Sequence, residues 1–324
     1  MATTLPVLSI EMTTSSLPTL PAADIDRATN FARQDKSAAT RAVYRSDFSI
    51  FPVWCTARSV SALPASPETV AGFLAAEAEN GMAASTITRR CAAIRHAHKL
   101  AAFEPPTNSE IVKATVRGIR RSIGTAPKRK APAVAEIMRD MARTVPAGLK
   151  GLRDRALLLL GFGGAFRRSE LVALDVADIQ FTDDGLRVTI RRSKTDQEGQ
   201  GATIAIIRGG TSCPVKAVKA WLDAAGICEG PIFRPLRKAG KVREARLTAK
   251  SVCDLIKSYA GKLGLNVADY GAHSLRAGFL TSAARRGASV FKMRDVSRHK
   301  SMEVLQGYVR DADMFRDHAG AGLL

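Results

Sequence analysis

One short segment divides this chain. Residues 122–132, SIGTAPKRKAP, set Gly124, Pro127 and Pro132 around three consecutive basic residues, Lys128, Arg129 and Lys130, between regions of sustained helical periodicity. Glycine and prolines at that density interrupt a helix or a central strand, so the segment reads as a basic linker between two domains. The length agrees, because 324 residues exceed what one hydrophobic core fills comfortably. The expected division is a flexible arm over residues 1–30, rich in Thr, Ser, Pro and Ala, a helical domain over 31–121, the linker, and a second domain over 133–324.

Apolar residues at 46% can build real cores, and aromatics at 6% beside abundant Ala, Leu and Arg lean towards helices. In the first domain Tyr44, Phe48, Phe51 and Cys55 recur at helical spacing, with Pro52 expected to kink that helix. A second helix takes Ser66 as N-cap and Pro67 in its first turn, with Val70, Phe73 and Leu74 inward. A third opens at Ser85 on an Ile87, Cys91 and Ile94 stripe, leaving Arg89, Arg90, Arg95 and Lys99 on other faces. A fourth, Ser109 to Arg121, buries Val112, Val116 and Ile119 and carries Lys113, Arg117, Arg120 and Arg121. One such basic face is an ordinary solvated surface; two in one small domain point to a polyanion. In the second domain Val134–Thr144, Arg153–Phe162 and Pro214–Ala225 read as helices, and Leu186–Arg191 with Thr203–Ile207 as a β-hairpin. The expected fold is mainly α with a small antiparallel sheet.

The 49 Lys and Arg against 30 Asp and Glu leave a formal charge of +19, spread as +7 over residues 1–130 and +12 over the rest. A charge distributed over a long footprint favours nucleic acid over a membrane surface, since counterion release from phosphates rewards extended contact. The longest apolar run, Ala156 to Phe166, is too short to cross a bilayer. The first 20 residues lack a basic start and contain Glu11, unlike a signal peptide. Cys55, Cys91, Cys213, Cys228 and Cys253 are odd in number and form no CxxC pair, which argues against a disulfide framework or zinc site and fits a reducing cytoplasm.

Four segments carry chemistry. Arg167 and Arg168 with Glu170 follow the apolar helix, Lys194 sits in the expected hairpin loop, His273 and Arg276 share a helix face at i, i+3, and His299 precedes Tyr308 by nine residues. Each alone is a weak signal. In this order, behind a basic helical domain, they resemble the tyrosine recombinase and phage integrase family. The stretches PASPETVAGFL, STITRRCAAIRHAHKLAAFEPPTNSEIVKATVRGIRR and KSMEVLQGYVRDAD bring the likeness closest to its Cre-type members.

That resemblance implies a helical, SAM-like core-binding domain plus an α+β catalytic domain that together clamp duplex DNA. It implies Tyr308 as nucleophile forming a 3′-phosphotyrosyl bond, Arg167 and Arg276 gripping the phosphate, His273 as base and Lys194 as acid. Glu170 would orient its neighbours and His299 donate to the phosphate. No metal, ATP or other cofactor is called for. The implied partners are a specific recombination site in double-stranded DNA, a homotetramer on two DNA segments exchanging strands through a Holliday junction, and accessory DNA-bending proteins; no membrane partner is expected. Lys128, Arg129 and Lys130 would run along the DNA beside the basic helices. Two departures stand out: Arg298 precedes the late histidine where the family usually has Gly, and Arg168 stands where an aliphatic residue is usual. A type IB topoisomerase, or a non-catalytic DNA-binding protein of the same fold, remains an alternative.

Overall fold

The computed structural model describes residues 21–32, 35–126, 129–193, 196, 199–237, 240–312, 314 and 321. They form two compact units that divide between residues 127 and 128.

The first unit comprises α1 (Ala22–Ala32), α2 (Ala38–Thr56), α3 (Pro67–Glu79), α4 (Ala84–Leu100) and α5 (Glu110–Ile123). Helix α1 corrects the expectation of a flexible arm through residue 30. It places Asp24 in its first turn, where a carboxylate suits the helix dipole, and pairs it with Arg27. Ser37 and Ser66 cap α2 and α3, accepting hydrogen bonds from the N–H groups of Thr40 and Thr69, each at 3.2 Å. Helix α2 continues through Pro52 to Thr56. Helix α4 starts at Ala84, one residue before the expected Ser85, with no side-chain cap. Helix α5 outlasts its expected end, taking Ser122 and Ile123 out of the linker before Gly124, at φ 75°, stops it. The core gathers Phe51, Cys55, Val70, Phe73, Leu74, Ile87, Ile94 and Val112, with Phe51 and Phe73 ring centroids 5.0 Å apart. His98 is a satisfied core histidine: Nδ1 faces the Ile94 carbonyl at 2.9 Å, and Nε2 accepts the Ala65 N–H at 3.0 Å.

The second unit contains α6 (Ala135–Arg143), α7 (Leu149–Gly163), α8 (Arg168–Ala173), β1 (Ile179–Phe181), β2 (Gly185–Ile190), β3 (Ala202–Ile207), α9 (Pro214–Ala225), α10 (Ala249–Lys262), α11 (His273–Arg285), α12 (Val290–Ser297) and α13 (Met302–Ala312). The hairpin gains a third strand that the sequence did not announce. Three-residue β1 pairs antiparallel with β2, Gln180 opposite Arg187, and completes the order β1-β2-β3. Too short to show a period, it is made a strand by its partner. Helix α7 is buried nearly all round, Ala156 to Leu160 lying in the main core with Phe166, Trp221, Phe233 and Tyr259. A smaller cluster of Leu280, Ala284, Met293 and Leu305 joins α11, α12 and α13.

The far end of the linker is held tightly. Ala131 N–H donates to Asp269 O at 2.8 Å, Ala133 N–H to Ser274 O at 2.9 Å, and Ala135 N–H to Ser282 Oγ at 2.9 Å. This strap presses so closely on α11 that a Cβ on Gly278 would lie 1.9 Å from the Ala133 carbonyl oxygen. Backbone cannot retreat as a flexible side chain can. Gly278→Ala is expected to cost about 2–3 kcal/mol by overpacking, lowering the melting temperature of the full chain by about 5–10 °C. Gly118→Ala on α5, where an added Cβ meets nothing within 4 Å, is expected instead to stabilise by about 0.5–1 kcal/mol.

Candidate active site

Helix α7 ends in a tight turn that launches the first arginine. Gly164 must be glycine there, because a Cβ would meet the Phe166 ring at 2.2 Å, and Ala165 follows in left-handed backbone at φ 46°. Arginines claim both carbonyls of the turn: Arg276 Nη1 donates to Ala165 O at 2.7 Å and Arg298 Nη1 to Gly164 O at 3.3 Å. Arg167 then caps α8. Its N–H donates to Glu170 Oε2 at 3.0 Å and its Nη1 to Oε1 at 2.6 Å, while Arg298 Nη2 reaches Oε2 at 2.8 Å. Arg168, one residue on, is exposed, so the structure turns Arg167 inward as the i, i+3 register to Glu170 requires.

His273 opens α11 on the exposed side, and Arg276 lies buried one turn later. Arg276 Nη2 stands 3.2 and 3.3 Å from the two ring nitrogens of His299, whose Nδ1 is 2.9 Å from Ser297 Oγ. His299 is brought there by Arg298, which ends α12 in left-handed backbone at φ 57°. Tyr308, half-buried on α13, packs on the Leu280, Met293 and Leu305 cluster.

The electrostatics tie these groups into one place. Burial, then the charges of Arg167 and Arg298, pulls Arg276 down to about 9, still a cation at neutral pH. Burial and the Arg276 and Arg167 guanidiniums carry His299 down to about 3, so its imidazole is neutral. His273 is lowered by partial burial, Arg276 and Arg167. Burial pushes the Glu170 carboxyl up, but Arg298 and Arg167 outweigh it, and the group sits below the ordinary glutamate value. Burial raises the Tyr308 phenol against the pull of Arg129 and Arg276.

Arg167, Glu170, His273, Arg276, His299 and Tyr308 therefore converge, whereas Lys194 and Lys128 lie outside the described residues. Between β2 and β3 the Asp196 carboxylate accepts the N–H groups of Gly199, Gln200 and Gly201 at 3.1, 3.0 and 2.8 Å. Sequence reasoning missed that role, although an Asp followed by two glycines was its signal. It also missed the inward turn of Arg298.

The expected nucleic-acid surface is thinner than its charge count. Arg90 is a correction: its side chain is tucked against Glu77 and Asp47, both buried, so it serves the domain's interior. Arg89 is exposed but binds Asp47 at 2.5 Å, Arg95 donates to Thr107 Oγ1 at 3.0 Å, and Arg117 pairs with Glu110. Lys99, Lys113, Arg120, Arg121, Arg129 and Lys130 are exposed, Lys130 also donating to the Ala268 carbonyl.

Glu170→Gln keeps the shape of this centre and removes the carboxylate that Arg167 and Arg298 share, which is expected to cost about 3–5 kcal/mol. Because the folded carboxyl is depressed, its stabilisation is complete above the unfolded value of about 4.3 and is lost as pH falls through the lower folded value. Denaturant titrations should therefore show a wild-type advantage that is constant near neutrality and narrows only in that acid window.

Comparison with known proteins identifies the family. Residues 132–314 match the phage integrase family. The integrase/recombinase XerD homolog of Selenomonas ruminantium is 39% identical over 89% of this chain and 86% of that protein. The Cre recombinase of Escherichia phage P1 is 24% identical over 91% and 93%. The Tn1549 transposon integrase, solved with transposon right end DNA, shares the fold with a TM-score of 0.61 at 14% identity, covering 89% of this chain and 97% of that one. The chain belongs to the phage integrase family of tyrosine recombinases.

Proposed function

We propose that the protein is a site-specific DNA recombinase that cuts and rejoins strands through a covalent bond between Tyr308 and a 3′-phosphate. The observation that carries this is the gathering of Arg167, Arg276, His273 and His299 at the end of α7, with Arg276 against the His299 ring and Tyr308 in electrostatic reach of Arg276. A phosphodiester repels nucleophiles and releases an alkoxide poorly. Two guanidiniums, one held by Glu170 and one by the Ala165 carbonyl, are preorganised donors for the charge that grows on the non-bridging oxygens in the transition state. His299, neutral beside Arg276, adds an uncharged donor.

The Tyr308 phenol, raised above its ordinary value, needs a base. His273 is lowered, hence unprotonated at neutral pH and able to take the phenolic proton as the oxygen attacks phosphorus. The bond from phosphorus to the 5′-oxygen breaks, and Lys194 supplies the proton that makes the leaving group a 5′-hydroxyl. The phosphotyrosine keeps the energy of the broken ester, so a 5′-hydroxyl from another strand reverses the step without ATP or metal. Sequential exchange through a Holliday junction in a homotetramer on two DNA segments, aided by DNA-bending proteins, is the assembly proposed by analogy with the family. Among the described residues no helix is long and apolar enough to cross a membrane, and the proposed site of action is DNA in the cytoplasm. Lys99, Lys113, Arg120, Arg121, Arg129 and Lys130 are the proposed backbone contacts.

Incubation with a suicide DNA substrate nicked near its site is expected to trap a denaturant-stable adduct that persists in EDTA and disappears in Tyr308→Phe. An adduct in that variant, or a strict metal requirement, would overturn the proposal. Arg276→Ala should slow cleavage by about 10²–10³-fold, the loss expected for one transition-state donor. The rate should hold constant from neutral pH downwards until His273 protonates below the ordinary imidazole value of about 6.5, as a single-turnover pH profile would reveal. Binding should weaken steeply with salt, and Lys113→Ala or Arg120→Ala should each reduce that log–log slope by about 1.

A further inference from the structure

We propose that Arg298 is a positioning residue for strand cleavage: it shares Glu170 with Arg167 and grips the carbonyl beside the one that Arg276 grips, locking the first arginine and His299 into a single register. The inference rests on the recombinase reading above.

The backbone at Arg298 is left-handed, φ 57° and ψ 38°, a conformation that costs any residue with a Cβ and that glycine adopts freely. Its Nε is also buried without an acceptor. An arginine under two such penalties is retained by what its far end does. Nη2 donates to Glu170 Oε2 at 2.8 Å, Nη1 to Gly164 O at 3.3 Å and to the Val296 carbonyl, and the guanidinium lies 5.3 Å over the Phe166 ring. Both terminal nitrogens are therefore engaged within the protein, and the side chain is only 11% exposed. It is not a spare hand for DNA phosphate.

Three of its four contacts, Gly164, Phe166 and Glu170, fall on the turn that launches Arg167 and on the carboxylate that orients it; the fourth is the Val296 carbonyl of its own helix. Arg276 holds Ala165 O and Arg298 holds Gly164 O, so consecutive carbonyls anchor α11 and the loop that carries His299. Glu170 Oε2 is fixed from two sides, by Arg167 N–H and by Arg298 Nη2. Take Arg298 away and the carboxylate keeps one partner, while His299 loses the tether next to it in sequence. A misplacement of about 1 Å in such a constellation costs on the order of 10²-fold in rate without altering binding.

The test is single-turnover cleavage of the suicide substrate by the full chain at saturating protein, with DNA affinity and melting temperature measured in parallel. Arg298→Gly relieves the left-handed backbone but gives up one buried partner of Glu170; it is expected to melt below the parent, stay folded at the assay temperature and bind DNA with Kd within about 2-fold, yet cleave about 10–100-fold more slowly. Arg298→Lys keeps a cation for Glu170 but lacks the planar fork that also reaches Gly164 O, and is expected to recover part of the rate. Cleavage by Arg298→Gly at the parental rate would overturn the inference, and so would a parallel loss of rate and affinity, which would make Arg298 a DNA contact. No recovery at all in Arg298→Lys would overturn the sharing of Glu170. Failure of the parent chain to form an adduct overturns the recombinase reading and this inference with it, whereas an active parent beside an equally active Arg298→Gly overturns this inference alone.

Discussion

The buried carboxylate of Glu170 is the interaction on which the catalytic face depends. Three arginines, Arg167, Arg276 and Arg298, crowd the end of α7; burial holds Arg276 and Arg298 below the ordinary arginine range, and the charge of Arg167 adds to it for both. Cations in that space repel one another and lose hydration, and a single carboxylate with side-chain exposure of 1% must offset both. It does so by dividing its oxygens, Oε1 to one guanidinium and Oε2 to a second guanidinium and a backbone N–H. Carbonyls of the Gly164–Ala165 turn supply the remaining acceptors. The concentrated positive charge is thus maintained by neutralising part of it from behind.

Much of this was legible in the sequence where local chemistry decides the outcome. Ser66 with Pro67 marked the start of α3, the periodicity from Pro214 to Ala225 bounded α9, and the alternation in β2 and β3 placed the hairpin. Arg167, Glu170, His273, Arg276, His299 and Tyr308 were readable as a set because order along the chain is a property of sequence. What was not readable needs the third dimension. Strand β1 exists through its pairing with β2, α1 is helical where composition suggested a loose arm, and the inward turn of Arg298 follows from a dihedral angle that no motif records.

The charge tells a similar story. A formal +19 announces a polyanionic partner, yet it does not say which cations face that partner. Arg90 reads like its neighbours in sequence and is spent on Glu77 and Asp47, and Arg153 joins Tyr259 in satisfying the buried Asp154. Such arginines belong to the architecture. A helix face rich in arginine is therefore a mixture, and only burial and acidic partners sort it.

Tyr308 is seated on the small Leu280, Ala284, Met293 and Leu305 cluster and not in the main core that fixes Arg167 and α7. Stability within a protein is unevenly distributed, and small satellite clusters open at lower free energy than large cores. The proposed nucleophile and the proposed phosphate grip thus stand on foundations of different strength. Helix α13, which carries the proposed nucleophile, is therefore expected to open at lower free energy than α7 and the arginines that its end gathers.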